Sequence, residues 1–188
     1  MGLNVYTGWD RLRTIITKSD VLQQQFEQVY GSESDSVFRF CLLRTSDHDL
    51  ALDLTQDTFM RFWDTLCKDK QIKNCRAFLF AVARNLIIDW YRKKKAVSLE
   101  SMLIEGSEDK NELLSSSAGI EIEAEAKNLV RKINALDETY RDAVYLRCVE
   151  GLKPKEIAEI IGESANVVSV RINRGLRILR ESMHYDVK

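Results

Sequence analysis

The chain has 188 residues, of which 45% are hydrophobic and 30% are charged, and its formal net charge is −1. This length is enough to bury one medium hydrophobic core or two small ones. No segment approaches the roughly 20 uninterrupted apolar residues of a transmembrane helix, and residues 1–18 lack the apolar centre of a signal peptide. We therefore expect a soluble, cytoplasmic protein without membrane insertion.

The cysteine and histidine content argues against a metal site. The chain has four cysteines and two histidines, and no two cysteines form a CxxC pair. Because neither a zinc site nor a disulfide framework has usable spacing, we predict no metal and no cofactor. We expect reduced, mostly buried thiols at all four positions, which are Cys41, Cys67, Cys75 and Cys148.

The pattern of apolar and charged residues predicts an all-α fold with two domains. One proline and eight glycines leave long stretches without helix breakers, and apolar residues recur at spacings of three and four. Six basic residues and one acidic residue give residues 76–95 a net charge of +5, whereas eight acidic residues and one basic residue give residues 96–126 a net charge of −7. We predict an N-terminal extension of unknown role (1–20), an N-terminal domain (21–95), an acidic flexible linker (96–126) and a C-terminal domain (127–188).

The C-terminal domain has the local signals of a helix-turn-helix. Asp137 is a favourable N-cap for one helix, Pro154 suits the first turn of the next, and Gly162 suits its C-cap. Ser164 can then cap a last helix that has one apolar face and one arginine-rich face. A helix of this kind fits the major groove of DNA.

Several residues of this last helix are candidates for DNA contact. Arginines recur at three-residue steps, which exceeds what solubility requires and suits contact with phosphates. An ordinary helical hairpin whose arginines only face solvent is the alternative. The predicted DNA-binding residues here are Ser164, Asn166, Ser169, Val170, Arg171, Asn173, Arg174 and Arg177.

Residues 76–95 (RAFLFAVARNLIIDWYRKKK) predict an aromatic, basic helix in the N-terminal domain. Such a helix can stack on single-stranded bases while its cations neutralise phosphates. The alternative is a solvated amphipathic helix. The predicted DNA-binding residues of this segment are Arg84, Asn85, Ile88, Trp90, Tyr91 and Arg92.

Together these motifs resemble the extracytoplasmic-function (ECF) branch of the sigma-70 family of bacterial RNA polymerase sigma factors. The segment DLTQDTF that begins at Asp53, followed by Arg61 and Trp63, is similar to region 2.2 of that family. Residues 76–95 are similar to regions 2.3 and 2.4, and residues 136–181 are similar to region 4. Three motifs in this order are more specific than any one of them.

The resemblance implies a sigma factor that binds RNA polymerase core and directs promoter-specific initiation. Region 2 would bind the beta-prime coiled coil and melt the minus-ten element, and region 4 would meet the beta flap and recognise the minus-thirty-five element. The resemblance also implies promoter DNA and an anti-sigma factor as partners and no catalytic activity. The polymerase-binding residues that it indicates are Asp53, Gln56, Asp57, Phe59, Arg61 and Trp63.

Two other classes of protein are alternatives. A conventional dimeric helix-turn-helix regulator would explain the C-terminal domain, but it does not explain the segment from Asp53 to Trp63. An enzyme would need a catalytic cluster, and the only candidate is His48 between Asp47 and Asp49. A histidine flanked by acidic residues is more typical of a solvated turn, so we predict that the protein is not an enzyme.

Overall fold

The computed structural model describes the backbone of residues 6–68, 70–102 and 124–184, and the side chains of residues 19–68, 70–95 and 128–183. This part of the chain contains seven helices and no strand, which confirms the all-α prediction. The helices are α1 (Tyr6–Thr45), α2 (His48–Cys67), α3 (Cys75–Met102), α4 (Ala124–Asn134), α5 (Glu138–Cys148), α6 (Pro154–Ile161) and α7 (Ala165–His184). None of these described helices is long and apolar enough to span a membrane.

Helices α1 to α3 pack around an aromatic core in the N-terminal domain. Phe40, Phe62 and Phe80, one from each helix, are completely buried. The Phe40 and Phe80 rings meet edge to face, with their centroids 5.5 Å apart. The chain reverses direction between α1 and α2 at Ser46, whose φ is +54°. Asp47 then caps α2, because its carboxylate accepts a hydrogen bond from the Leu50 N–H at 3.0 Å.

The C-terminal domain is a helix-turn-helix whose predicted caps are confirmed. The Asp137 carboxylate accepts a hydrogen bond from the Thr139 N–H at 2.8 Å and so caps α5. Helix α6 starts at Pro154, and Gly162 directly after it is left-handed with φ +77°. Ser164 accepts a hydrogen bond from the Val167 N–H at 3.3 Å in the first turn of α7.

Helix α7 approaches α5 closely because Gly175 has no side chain. A Cβ added at Gly175 would lie 2.5 Å from Cγ2 of Val144, which is far inside van der Waals contact. Val144 and Val168 are fully buried at this contact between helices. Gly175 therefore fixes how deeply the last helix is seated in its own domain.

The two domains pack directly against each other. The rings of Phe40 on α1 and Tyr145 on α5 lie 5.5 Å apart, and both residues are buried. The Asn134 side-chain amide donates a hydrogen bond to the Leu43 carbonyl oxygen at 2.7 Å. This arrangement differs from the predicted picture of two domains connected only by a linker.

Helices extend into segments that the sequence assigned to the extension and the linker. Helix α1 begins at Tyr6, inside the predicted extension, and α3 continues to Met102, inside the predicted linker. Residues 75–102 contain neither glycine nor proline, so nothing in this stretch ends the helix earlier. The predicted flexibility of residues 103–123 lies outside the described residues.

The four cysteines are free, but they are not mostly buried as predicted. Cys41 is buried and Cys75 is half-buried, whereas Cys67 and Cys148 are exposed. The two exposed cysteines are the last residues of α2 and α5, where each helix leaves the core.

Candidate nucleic-acid and polymerase interfaces

Helix α7 presents a polar face to solvent that matches the predicted DNA-binding face. Its apolar side is seated in the domain, since Val168, Ile172 and Leu179 are buried. The opposite side is largely exposed and includes both side-chain amides and cations. The exposed or half-buried residues of this α7 reading face are Asn166, Ser169, Val170, Asn173, Arg174 and Arg177.

Two predicted residues of this face have additional contacts. Arg171 is half-buried, and its guanidinium donates a hydrogen bond to Glu163 at 2.7 Å. Ser164 is occupied by capping, as described above. A shallow depression of about 320 Å³ lies at the N-terminal end of the face and is bordered by Thr139 and Tyr140 of α5. Asn166, Val170 and Arg174 of α7 also line this depression.

The basic face of α3 is only partly accessible. Asn85 and Arg92 are exposed, and Tyr91 is 42% exposed while its hydroxyl donates a hydrogen bond to the Arg44 carbonyl oxygen. The Arg84 side chain is only 20% exposed, and its Nε donates to Asp142 of α5 at 2.8 Å. Arg84 is therefore paired with the C-terminal domain in this arrangement, and its contact with DNA stays a prediction.

The remaining predicted residues of α3 lie at the edge of its packed side. Ile88 and Trp90 are half-buried. The Trp90 ring contacts the Tyr91 ring edge to face at 4.9 Å, and the Lys94 ammonium lies 5.0 Å from the Trp90 centroid. Trp90 thus supports the exposed Tyr91 ring, although it is not itself fully open to solvent.

A groove of about 1070 Å³ runs between α1 and α2. It brings together four of the six predicted polymerase-binding residues, namely Asp53, Gln56, Phe59 and Trp63. Asp57 and Arg61 are exposed on α2 but are outside the set of residues that line this α1–α2 groove.

Phe59, which was predicted to bind polymerase, is buried beneath the groove and is not on the surface. It is only 3% exposed, and its ring meets the Tyr30 ring at 4.8 Å on the floor of the α1–α2 groove. A residue at this depth shapes the groove from below, because its spacing on α2 places it on the core side of the helix.

Sequence reasoning missed several apolar residues of the α1–α2 groove. Tyr30, Leu52 and Met60 are between 48% and 60% exposed and are not among the predicted polymerase-binding residues. Exposed apolar side chains in one concave surface are typical of protein interaction sites. The signal in the sequence was the presence of more apolar residues on α2 than one helix face can bury.

The residues around His48, which were the only candidate for a catalytic cluster, have structural contacts. Asp47 is occupied as the N-cap of α2, and the His48 ring packs edge to face on Phe38 at 5.5 Å. Among the described residues, no group of three or more metal-binding side chains is positioned to hold an ion.

Two helical domains, one with a helix-turn-helix that exposes its recognition helix, place the chain in the class of DNA-binding transcription proteins. The family model for sigma-70 region 2 matches residues 29–97, and the model for sigma-70 region 4 matches residues 126–179. The chain is 36% identical over 146 residues to the ECF RNA polymerase sigma factor SigM of Bacillus subtilis, which covers 77% of this chain and 86% of SigM. It is 25% identical over 169 residues to SigW of the same organism, covering 86% of this chain and 90% of SigW.

The chain therefore belongs to the ECF branch of the sigma-70 family and functions in promoter-directed transcription initiation. Two solved structures show the same fold. The sigma factor RpoE of Bartonella quintana, in complex with the anti-sigma factor NepR, matches with a TM-score of 0.69 at 23% identity and covers 87% of this chain and 99% of RpoE. CnrH, in complex with the cytosolic domain of CnrY, matches with a TM-score of 0.63 at 21% identity and covers 91% of this chain and 97% of CnrH.

Proposed function

We propose that this sigma factor binds RNA polymerase core in the cytoplasm and directs it to promoters through a minus-ten and a minus-thirty-five element. The observation that supports this best is the presence of three distinct surfaces in one chain: the α1–α2 groove, the exposed part of α3 and the α7 reading face. A dimeric regulator would need only the last of these. The family matches cover both domains, which favours the sigma factor over that alternative.

Helix α7 is proposed to recognise the minus-thirty-five element in the major groove. In the N-terminal half of this helix Asn166 and Asn173 are exposed and Ser169 is half-buried, and these side chains would contact base edges. Arg174 and Arg177 are exposed cations that suit phosphate contact and would position the helix on the duplex.

Helix α3 is proposed to act on the minus-ten element after the strands open. The exposed Tyr91 ring can stack on an unpaired base, and Asn85 can hydrogen-bond to a base edge. Arg92 is exposed near both and would neutralise the adjacent phosphate. The protein would direct initiation without performing the phosphoryl transfer itself.

The α1–α2 groove and the neighbouring polar residues of α2 are proposed to bind the beta-prime coiled coil of the polymerase. Asp53 and Asp57 are exposed, so reversing both charges in Asp53→Lys/Asp57→Lys should weaken core binding without disturbing the fold. Pull-down with core polymerase measures this. A matched control is Glu159→Lys/Glu181→Lys, which changes two exposed carboxylates of the C-terminal domain by the same charge.

Unchanged core binding by the Asp53/Asp57 variant would refute this assignment of the polymerase surface. Equal loss in the Glu159/Glu181 variant would show that total charge is responsible, because those residues lie on α6 and α7 and far along the chain from the α1–α2 groove.

An anti-sigma partner is also proposed, and it would cover one or more polymerase-binding surfaces until a signal arrives. The two structural neighbours described above were solved with an anti-sigma factor and with a cytosolic protein domain, respectively. The exposed apolar side chains of the α1–α2 groove would suit such a partner. Affinity purification from the native host should recover it, and full activity of the overexpressed chain with no recoverable repressor would contradict the proposal.

A further inference from the structure

Two exposed valines lie on the side of α7 that is proposed to contact DNA. Val167 is 38% exposed and Val170 is 47% exposed. Val170 follows the buried Val168 by two residues, which is a rotation of about 200° around a helix with 3.6 residues per turn. Val170 therefore lies almost opposite the buried stripe, and packing within the domain does not explain why this position is apolar.

The two valines belong to one concave surface. Together with Thr139 and Tyr140 of α5 they line the depression of about 320 Å³ at the N-terminal end of the α7 reading face, which we call the α5–α7 depression. Tyr140 is half-buried and belongs to the close contact between these helices, since a Cβ added at Gly175 would lie 3.2 Å from the Tyr140 Cβ. The packing of α5 against α7 therefore holds the wall of the depression in place.

Two arginines at the edge of the α5–α7 depression have different environments. Arg171 is half-buried and donates a hydrogen bond to Glu163 at 2.7 Å, whereas Arg174 is exposed. Arg174 follows Val170 by four residues, so the two residues are neighbours on the helix surface. The depression thus combines apolar side chains with an exposed cation at its rim. A nucleotide with an apolar group on its base edge and a negatively charged phosphate would complement both.

Valine is well suited to a fixed apolar contact. In a helix its branched Cβ leaves one strongly preferred χ1 rotamer, so its methyl groups are already positioned before a ligand arrives. Little side-chain entropy is then lost on binding. Lysine, glutamate and alanine would each favour the helix more than valine at an exposed position, so helix formation does not explain Val170 either.

Thymine is the base that offers such a group in the major groove. Its edge there presents the O4 acceptor and the C5-methyl group, whereas adenine, guanine and cytosine present polar donors or acceptors. Polar edges packed against valine would lose hydrogen bonds to water without replacing them, which disfavours those bases. An apolar residue at the outermost position of the helix therefore selects for thymine.

We propose that Val170, together with Val167, recognises a thymine of the promoter through its C5-methyl group, and that Arg174 binds a phosphate beside it. This inference deepens the proposed role of α7 and rests on it. The minus-thirty-five element should contain an A·T pair at the position that faces Val170, with the thymine methyl in the α5–α7 depression. An apolar segment of the polymerase is the other possible occupant, and binding to core polymerase without DNA distinguishes it.

Replacing thymine by uracil removes only the methyl group and so tests the contact directly. Holoenzyme assembled from the full-length chain and core polymerase first selects its preferred sequence from promoters randomised across the minus-thirty-five element. Each A·T pair of the selected element is then changed to A·U, one at a time, and holoenzyme binding is measured by competition. At the pair that faces Val170, uracil should lower the affinity about fourfold, the factor expected for one buried methyl group.

Val170→Ala should bind the thymine and uracil templates with equal affinity. This variant should keep its fold, because Val170 is exposed and alanine favours the helix. Val149→Ala is the matched control, since Val149 is a 42% exposed valine of the same domain that lies outside α7. The control should keep the fourfold preference for thymine.

The outcomes separate failure of this inference from failure of the proposed function. The inference is overturned if the selected element contains no A·T pair, if no uracil replacement lowers affinity, or if Val170→Ala still prefers thymine. If uracil has no effect on the wild type and Val170→Ala instead weakens binding to core polymerase without DNA, the depression is a protein contact and the inference is equally overturned. If the holoenzyme selects no sequence at all, the proposed sigma function is wrong and thymine recognition falls with it.

Discussion

The two helices proposed to contact DNA differ in how they are covered. Helix α7 has its apolar side on α5 and α6 of its own domain, and its opposite side is open. Helix α3 has its apolar side on α1 and α2, but Arg84 and Arg76 on its polar side are paired with carboxylates of the other domain. In this form the polar side of α7 is accessible, whereas part of the polar side of α3 is occupied by the C-terminal domain.

This difference shows that amphipathicity alone does not decide whether a helix is available for binding. Both helices have a basic face in the sequence, and only the tertiary contacts distinguish them. A charged face is free when its partners are solvent molecules, and it is covered when a distant segment supplies opposite charges at hydrogen-bond distance.

The largest expected effect is on promoter binding and promoter melting, which substitutions in α7 and in α3 should change in different ways. Arg174→Ala should reduce promoter binding by roughly 10-fold, because it removes a phosphate contact that is proposed to position α7 on the duplex. The loss should remain on a template whose minus-ten region is already mismatched open. Asn85→Ala and Tyr91→Ala should instead give melting defects that the open template partly rescues. Holoenzyme binding and open-complex formation are measured on fully duplex templates and on templates with a premelted minus-ten region. If the premelted template rescued Arg174→Ala but not Asn85→Ala or Tyr91→Ala, the roles assigned to α7 and α3 would be reversed.

A smaller effect, on the free energy of unfolding, tests how closely α7 packs against α5. Gly175→Ala should lower the free energy of unfolding by about 1–3 kcal/mol, because its methyl group would overlap Val144. Gly31→Ala is the matched control, since a Cβ at this helical glycine meets no atom within 4 Å and alanine favours helix by up to about 1 kcal/mol. Denaturant unfolding measures both, and equal stabilisation by the two substitutions would disprove the tight contact between α5 and α7.

Binding to duplex DNA without polymerase should distinguish a free arginine from a paired one. Arg177→Gln removes an exposed cation and should lower affinity a few-fold, with the slope of log K against log salt reduced by about 1. Arg84→Gln should change neither quantity, because Arg84 is already paired with Asp142. Fluorescence anisotropy across a salt series measures both variants. An equal loss for Arg84→Gln would show that α3 is accessible in the free chain.

The smallest effect concerns Glu33, which shares Arg76 with Glu150 at the interface. Burial raises the pKa of the Glu33 carboxyl above 4.5; Arg76 acts to lower it and Glu150 to raise it further. Since the folded chain binds this proton more tightly than the unfolded chain, the stabilising contribution is complete below about pH 4.5 and is lost as the pH rises through the raised pKa. Glu33→Gln should therefore raise the Tm at pH 7.

This gain in Tm should shrink as the pH is lowered towards 4.5, where wild-type Glu33 takes up its own proton. Glu27→Gln on the same helix removes an exposed carboxylate and serves as the control. A lower Tm for Glu33→Gln at pH 7 would show that its ion pair with Arg76, at 3.2 Å, outweighs the burial of the charge.

The sequence predicted those parts of the fold whose signals are local. The caps at Asp137, Pro154 and Gly162 and the two faces of α7 depend on residues within one or two helical turns, so they could be found by spacing alone. The domain interface could not be predicted in this way. Arg84 and Asp142 are 58 positions apart, and nothing in the neighbourhood of either residue indicates its partner.

The sequence predicted only part of the candidate polymerase site, again because local signals do not show which residues a distant segment covers. The polar residues Asp53 and Gln56 of α2 were assigned correctly to an accessible surface. The exposure of Leu52 and Met60 depends instead on how α1 packs across α2, because the same apolar residues would be core if another helix covered them. Periodicity identifies the apolar side of a helix, but tertiary packing determines how much of that side is buried.

The position of Asp142 separates two features of the C-terminal domain, namely its contact with the N-terminal domain and the exposed side of α7. Asp142 is buried on α5 and contacts the arginines of the N-terminal domain, whereas the depression beside the α7 reading face is bordered by other residues of α5. A substitution at Asp142 would therefore change the packing between the two domains and leave the side chains that α7 exposes unchanged.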